Sequence, residues 1–178
     1  MVAVVGPSGV GKDSVLAGAR RILADSPDVT FCRRVITRPS VAEREDHDSL
    51  STAQFEQQLA AGRFALHWRA HDFLYGVPAD TVRQVSEGKI VIVNGSRAAI
   101  PDFRSAYSRF AAIWMTAPVD VLAARLSARG SETAAQIERR LRRQPPIKPA
   151  PVDVVIENAS TLDACVAQFV AVIRQLAS

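Results

Sequence analysis

Val2-Ala3-Val4-Val5-Gly6-Pro7-Ser8-Gly9-Val10-Gly11-Lys12-Asp13-Ser14 is the stretch that decides the fold. Its first four residues form a short apolar run bounded by glycine, which reads as a buried strand. From Lys12 to Leu23 the apolar residues Val15, Leu16, Ala19, Ile22 and Leu23 recur at helical spacing, and the run ends before Asp25, Ser26 and Pro27. Between strand and helix stand three glycines and a lysine in the phosphate-loop spacing, in the structural context that the motif requires. Glycine lets backbone N–H groups turn inward around an anion, and the helix N-terminus adds its dipole. Lys12 is then placed to bridge the β- and γ-phosphates of a nucleotide. The competing reading is a glycine-rich strand-to-helix turn that binds nothing.

Outward from this loop, strand and helix patterns alternate. Val29 to Ile36 reads as a strand and Arg38 to Leu50, polar and aperiodic, as a loop. Ser51 and Gln54 form a capping-box pair that opens a helix stopping at Gly62. Phe64 to Trp68 and Phe73 to Val77 are short strands around a polar turn, and Ala79 to Glu87 is a helix ended by Gly88. Lys89 to Val93 is β-branched, continuous and apolar, as central parallel strands are. A helix over Arg97 to Tyr107 is interrupted by Pro101. Phe110 to Thr116 is a further buried strand, and Pro118 starts a helix that runs to Ala128 before Gly130. Glu132 to Arg143 reads as a basic helix, Gln144 to Pro151 as proline-rich and irregular, and Val152 to Ile156 as a last strand. Ser160 with Asp163 caps the final helix, through Leu176. The alternation predicts a three-layer α/β fold on a parallel sheet. Residues from Arg38 to Val77 break it and read as an insertion.

The chain has 178 residues, 48% hydrophobic and 22% charged, which excludes wholesale disorder, collagen and coiled coil. No apolar run is long enough to span a bilayer, and no basic stretch with an apolar h-region stands at the N-terminus. Cys32 and Cys165 are far apart and outside any CxxC pair, so neither a disulfide framework nor a zinc site is expected, and a reducing cytoplasm is. The net charge is +4, with only three lysines (Lys12, Lys89 and Lys148) among 22 basic residues. Arginine suits bidentate contact with phosphate, although a scattered solvated surface gives the same count. Mild charge and the lack of basic runs interleaved with aromatics argue against nucleic acid.

Two positions depart from the phosphate-loop pattern. Asp13 follows the lysine where a magnesium-binding hydroxyl is usual, with Ser14 one place later. The strand over Ile90 to Val93 ends in Asn94 where a metal-associated carboxylate is usual. One carboxylate is gained near the metal and one is lost.

The chain resembles the guanylate kinase-like nucleoside monophosphate kinases and, within them, the ribose 1,5-bisphosphate phosphokinases of bacterial phosphonate degradation. The resemblance covers nearly the whole chain. It rests on Gly6 to Ser14 with its Lys-Asp-Ser, Ile36-Thr37-Arg38, Glu45-Asp46-His47, Trp68-Arg69-Ala70-His71, Leu74-Tyr75-Gly76-Val77-Pro78 and Val93-Asn94-Gly95-Ser96-Arg97-Ala98. It implies one kinase domain with a core over 1–37 and 78–178, an acceptor-binding insertion over about 38–77 and a mobile lid over about 126–145. It also implies ATP as co-substrate, Mg²⁺, a small anionic phosphorylated acceptor, no membrane or nucleic-acid partner, a monomer or homodimer, and a cytoplasmic location.

Carried onto this sequence, the resemblance makes Gly6, Pro7, Ser8, Gly9, Val10, Gly11, Lys12, Asp13, Ser14, Arg125 and Asn158 the nucleotide-binding residues, with Asp13 at the metal. Arg34, Arg38, Glu45, His47, Arg69, His71, Tyr75, Asn94, Ser96 and Arg97 are the acceptor-binding candidates. Arg34 and Arg69 fall, by count, where guanylate kinases carry a guanine-reading serine and glutamate. A guanidinium cannot accept a hydrogen bond, so both replacements exchange base-reading groups for phosphate-reading ones; the competing reading of both arginines is a surface salt bridge. Tyr75 fits either an acceptor phosphate or packing, and Trp68 and Trp114 read as core. Lys12, Arg129, Arg139 and Arg140 are the catalytic candidates. Arg139 and Arg140 point about 100° apart on a helix and so serve different partners, and Arg129 alternatively caps a helix end. The implied reaction moves the γ-phosphate of ATP onto the 1-phosphate of ribose 1,5-bisphosphate, giving 5-phosphoribosyl 1-diphosphate. The alternatives are guanylate kinase, a kinase for another small phosphorylated acceptor, and a non-catalytic guanylate kinase-like binding module.

Overall fold

The computed structural model describes residues 1–38, 47–70, 72–128 and 152–177. Strand β1 (Val2–Val5) is buried throughout, as its apolar run requires. Helix α1 (Lys12–Ile22) follows the phosphate loop directly. The later core strands are β7 (Ile90–Asn94), β8 (Ala111–Thr116) and β9 (Val154–Glu157). With β2 (Val29–Phe31) they form a five-stranded sheet in the order β2-β7-β1-β8-β9. β2 runs parallel to β7, and β8 parallel to β9. Val91, Ile92 and Val93 are essentially inaccessible, as a central parallel strand covered on both faces demands. The predicted parallel α/β class holds.

Contacts divide the chain into two units. One comprises Met1–Ala3 and Ser26–Phe110, the other Val4–Asp25 and Ala111–Ser178, so β1 gives residues to both. The second unit holds α1, β8, α5 (Val119–Ala128), β9 and α6 (Leu162–Ala177). There α1 packs on α6 with Gly18 under Val166; a Cβ on Gly18 would stand 2.7 Å from Val166 Cγ2.

The first unit carries a separate four-stranded sheet in the order β4-β3-β6-β5, from β4 (His47–Ser49), β3 (Arg34–Ile36), β6 (Phe73–Pro78) and β5 (Phe64–Ala70). It also holds α2 (Thr52–Ala60), α3 (Asp80–Ser86) and α4 (Ile100–Ala106). The expected capping box is present: Ser51 Oγ accepts from Gln54 N–H at 3.2 Å, and Gln54 Oε1 accepts from Ser51 N–H at 2.9 Å.

Four readings need correction. The single strand over Val29 to Ile36 is two strands in different sheets, with Cys32 and Arg33 at the switch. Periodicity sees each strand but not its partner. The segment read as a loop to Leu50 contains β4, a three-residue polar strand held by parallel pairing to β3. Pro101 does not interrupt a helix; it stands in the first turn of α4, where its missing N–H costs nothing, after a short 3₁₀ turn over Arg97–Ala99. The cap of α6 falls one residue later than expected, with Thr161 Oγ1 accepting from Ala164 N–H at 3.3 Å. The expected helix over Glu132 to Arg143, Gly130 and most of the lid span lie outside the described residues.

Candidate active site

The phosphate loop is shaped by glycine at three places. Gly6, Gly9 and Gly11 hold φ values of 156°, 86° and 91°, which side-chain-bearing residues rarely adopt. At Gly6 a Cβ would also collide with the carbonyl oxygen of Met115 on β8. Gly11 is the N-cap of α1 and brings no side chain to its first-turn N–H groups. Those donors, in a helix of 11 residues, make an anion site. The Lys12 ammonium folds back over the loop and donates to the carbonyls of Gly6 at 2.8 Å and Pro7 at 3.0 Å. A cation is thereby fixed at the loop itself. Asp13 and Ser14 stand exposed in the first turn of α1, while Ser8 is the exposed residue of the loop.

Arg125, on α5, and Asn158, just past β9, lie against this loop. Asn158 Nδ2 donates to Val10 O at 2.8 Å and Arg125 Nη1 donates to the same oxygen at 3.3 Å. The sequence offered these two as nucleotide contacts and gave no sign that they hold the loop's backbone. Burial pushes the nearby Cys165 thiol up, against the opposing pull of the Arg125 charge.

The acceptor candidates lie in the other unit. In the second sheet Arg34 pairs with His47, Ile36 with Tyr75, and Tyr75 with Trp68. Opposed residues in a ladder share a face, so Arg34, His47, Tyr75 and Trp68 project together. The Arg34 guanidinium lies 5.6 Å from the Tyr75 ring centroid, and Tyr75 stacks on Trp68 at 5.3 Å with the rings 4° from parallel. His47 is buried, and Trp68 in turn meets Phe103 of α4 in a tilted contact, 5.9 Å between centroids with the rings 51° apart. Trp68 is core, as expected, and so is buried Trp114. The Tyr75 ring packs on Trp68, as the packing expectation has it, and also meets the Arg34 cation.

Arg69 is not brought to this cluster. It opposes Leu74 and projects, exposed, to the other face with His67 and Asp48. A count along the chain does not register the two-residue alternation of a strand, which turns Arg69 away. Arg38 follows β3, where Thr37 is pinned to β6 from both sides. Thr37 N–H donates to Leu74 O at 3.0 Å, and Thr37 Oγ1 accepts from Leu74 N–H at 2.9 Å. Thr37, the middle residue of Ile36-Thr37-Arg38, thus ties β3 to β6. Asn94 ends β7, with Ser96 and Arg97 in the turn that follows. Glu45, His71, Arg129, Arg139 and Arg140 lie outside the described residues.

Comparison with known proteins gives a family match over nearly the whole chain: the guanylate kinase family model covers residues 1–176. The ribose 1,5-bisphosphate phosphokinase PhnN of Acidiphilium cryptum is 44% identical over 173 residues, which are 97% of this chain and 91% of that protein. The bifunctional ribose 1,5-bisphosphokinase-thymidine phosphorylase of Cupriavidus pinatubonensis is also 44% identical, over 96% of this chain. The chain spans only 28% of that longer protein's length. Among solved structures, guanylate kinase from Anaplasma phagocytophilum superposes with a TM-score of 0.68 at 15% identity, covering 98% of this chain and 84% of that one. At that identity the likeness speaks to fold alone.

Proposed function

The chain belongs to the guanylate kinase family and, within it, to the ribose 1,5-bisphosphate phosphokinases, and from that membership we propose that it moves the γ-phosphate of ATP onto the 1-phosphate of ribose 1,5-bisphosphate. The product is 5-phosphoribosyl 1-diphosphate, formed in the course of phosphonate catabolism. The observation that carries the nucleotide half is the glycine-shaped loop with the Lys12 ammonium folded onto the Gly6 and Pro7 carbonyls. In this reading Gly6 to Ser14 hold the phosphates, and Arg34, His47 and Tyr75 take the acceptor, assisted by Arg38, Asn94, Ser96 and Arg97. The acceptor oxygen is already anionic, so the reaction needs no strong general base. Positioning and charge neutralisation carry the rate. Arg129, Arg139 and Arg140 supply cationic charge to the transferred group. The domain plan proposed is a single kinase domain with an acceptor-binding insertion and a lid.

Magnesium fits the residues at the loop. Among the described residues no group of three or more His, Cys, Asp and Glu side chains could hold a metal, so an all-protein cage is not what these residues offer. Mg²⁺ usually takes one or two carboxylates, substrate phosphates and waters. Exposed Asp13 beside the loop supplies one carboxylate, and the ion neutralises charge on the phosphates when bound. Among the described residues no helix is long and apolar enough to cross a membrane. A cytoplasmic monomer or homodimer completes the proposal, in keeping with Cys32 and Cys165 standing outside any disulfide.

Phosphorus-31 NMR of the chain with MgATP and ribose 1,5-bisphosphate tests this directly. The expected record is loss of the 1-phosphate singlet and growth of a coupled diphosphate pair alongside ADP. Persistence of the singlet while the ATP remains intact would refute the assignment.

A further inference from the structure

Val10 stands between two glycines, and Gly9 and Gly11 both hold positive φ, a setting in which peptide planes turn over readily. Its carbonyl nonetheless has one direction. Asn158 Nδ2 donates to it at 2.8 Å, Arg125 Nη1 donates to it at 3.3 Å, and Arg125 Nη2 donates to Asn158 Oδ1 at 3.4 Å. The triangle fixes the amide's orientation, because the reverse would set oxygen against oxygen and NH₂ against guanidinium. Asn158 is 2% exposed, and its own N–H donates to Thr116 O at 2.7 Å, which anchors it to the end of β8. A Cβ on Gly11 would stand 2.8 Å from Asn158 Nδ2, so the glycine is what admits the amide.

A trans peptide directs its C=O and N–H to opposite sides. Holding the Val10 carbonyl to Asn158 therefore turns the Gly11 N–H away from Asn158. We infer that Asn158 is a positioning residue that locks the Val10–Gly11 peptide so that the Gly11 N–H stands ready for the nucleotide's phosphates, with Arg125 orienting the amide. The inference rests on the nucleotide reading of the loop. Neither residue needs to touch the nucleotide. They act by removing the reorganisation that a freely turning peptide would impose when the anion arrives.

Asn158→Asp isolates this role. It keeps the side chain's size and gives Arg125 a carboxylate partner, but it sets an oxygen against the Val10 carbonyl. Calorimetry with Mg²⁺ should compare ATP with inorganic tripolyphosphate, which has neither base nor sugar. Both dissociation constants should rise by the same factor, about tenfold, for a buried carbonyl that loses its donor. Arg125→Gln should raise both by a smaller common factor, and it carries the test alone if Asn158→Asp does not fold. Weakened ATP binding with unchanged tripolyphosphate binding would mean that these residues read the base or ribose, overturning the inference. Unchanged affinity for both ligands would overturn it too. A native chain that binds neither ligand would instead remove the nucleotide reading on which the inference stands.

Discussion

Arg34 and Arg69 look equivalent in the sequence, since both put a guanidinium where a base-reading group is usual. Strand alternation separates them. Arg34 shares a face with His47 and lies over Tyr75, whereas Arg69 is exposed on the reverse face. Losing a charged hydrogen-bond donor to a phosphate costs about 1.5–3 kcal/mol, so Arg34→Ala should raise the acceptor KM by about tenfold or more. Arg69→Ala should leave it within about twofold, because screened surface charges contribute little. Steady-state kinetics at saturating ATP decides, and a larger effect at Arg69 would contradict the assignment of the face. At the other unit's loop, Asp13 gives a second residue-scale prediction. Asp13→Asn should raise the Mg²⁺ concentration needed for half-maximal rate, and Asp13→Ser with Asn94→Asp should recover part of the loss by restoring the usual hydroxyl and carboxylate. An unchanged Mg²⁺ dependence in Asp13→Asn would leave Asp13 as a helix-start carboxylate only.

The phosphate loop, its flanking strand and helix, the capping box at Ser51 and strand β7 were all legible, because each signal lies within one element. What the sequence hid depends on partners far along the chain. β4 is three polar residues with no hydrophobic signature, and it exists through its pairing with β3. Asn158 reaches a carbonyl 148 residues earlier, a distance no local pattern spans. Gly18 is similar: in a lone helix it is merely a weak residue, and Ala would be favoured by about 1 kcal/mol. Here it lies beneath Val166, whose β-branched side chain is stiff and yields poorly. Overpacking costs about 1–3 kcal/mol, so Gly18→Ala should lower the denaturant midpoint despite its helix preference. Adding Val166→Ala should restore part of it, whereas a stabilised Gly18→Ala would refute the close approach.

The α3–α4 junction supplies a pH signature. Thr81 Oγ1 donates its only hydrogen to Pro78 O at 2.6 Å, so the Tyr107 hydroxyl donates to Thr81 across 2.7 Å. Burial pushes the Tyr107 phenol from its usual 10 up to about 12. Between those values the unfolded chain has released the proton and the folded chain still binds it, so stability falls as pH rises. Chemical denaturation at pH 9 and pH 11 should show a loss in the native chain that is smaller in Tyr107→Phe. Equal losses in both would remove the buried phenol as the cause.

At the scale of the whole molecule, the parallel α/β order was readable from alternation, but membership of this fold does not choose an acceptor. Guanylate kinase shares it at 15% identity. In the proposed function the choice falls to a few side chains on one face of the second sheet, where the Arg34 guanidinium lies over Tyr75 and Tyr75 stacks on Trp68. Selection of a phosphorylated sugar by these residues is therefore open to direct test. Its direct measurement is kcat/KM for ribose 1,5-bisphosphate, GMP and gluconate in parallel, with the purified chain at saturating MgATP. Ribose 1,5-bisphosphate should exceed either competitor by at least about a hundredfold, the discrimination expected when a site's charged groups are left unpaired by the wrong substrate. Efficient phosphorylation of GMP, at or above the rate with the bisphosphate, would contradict it.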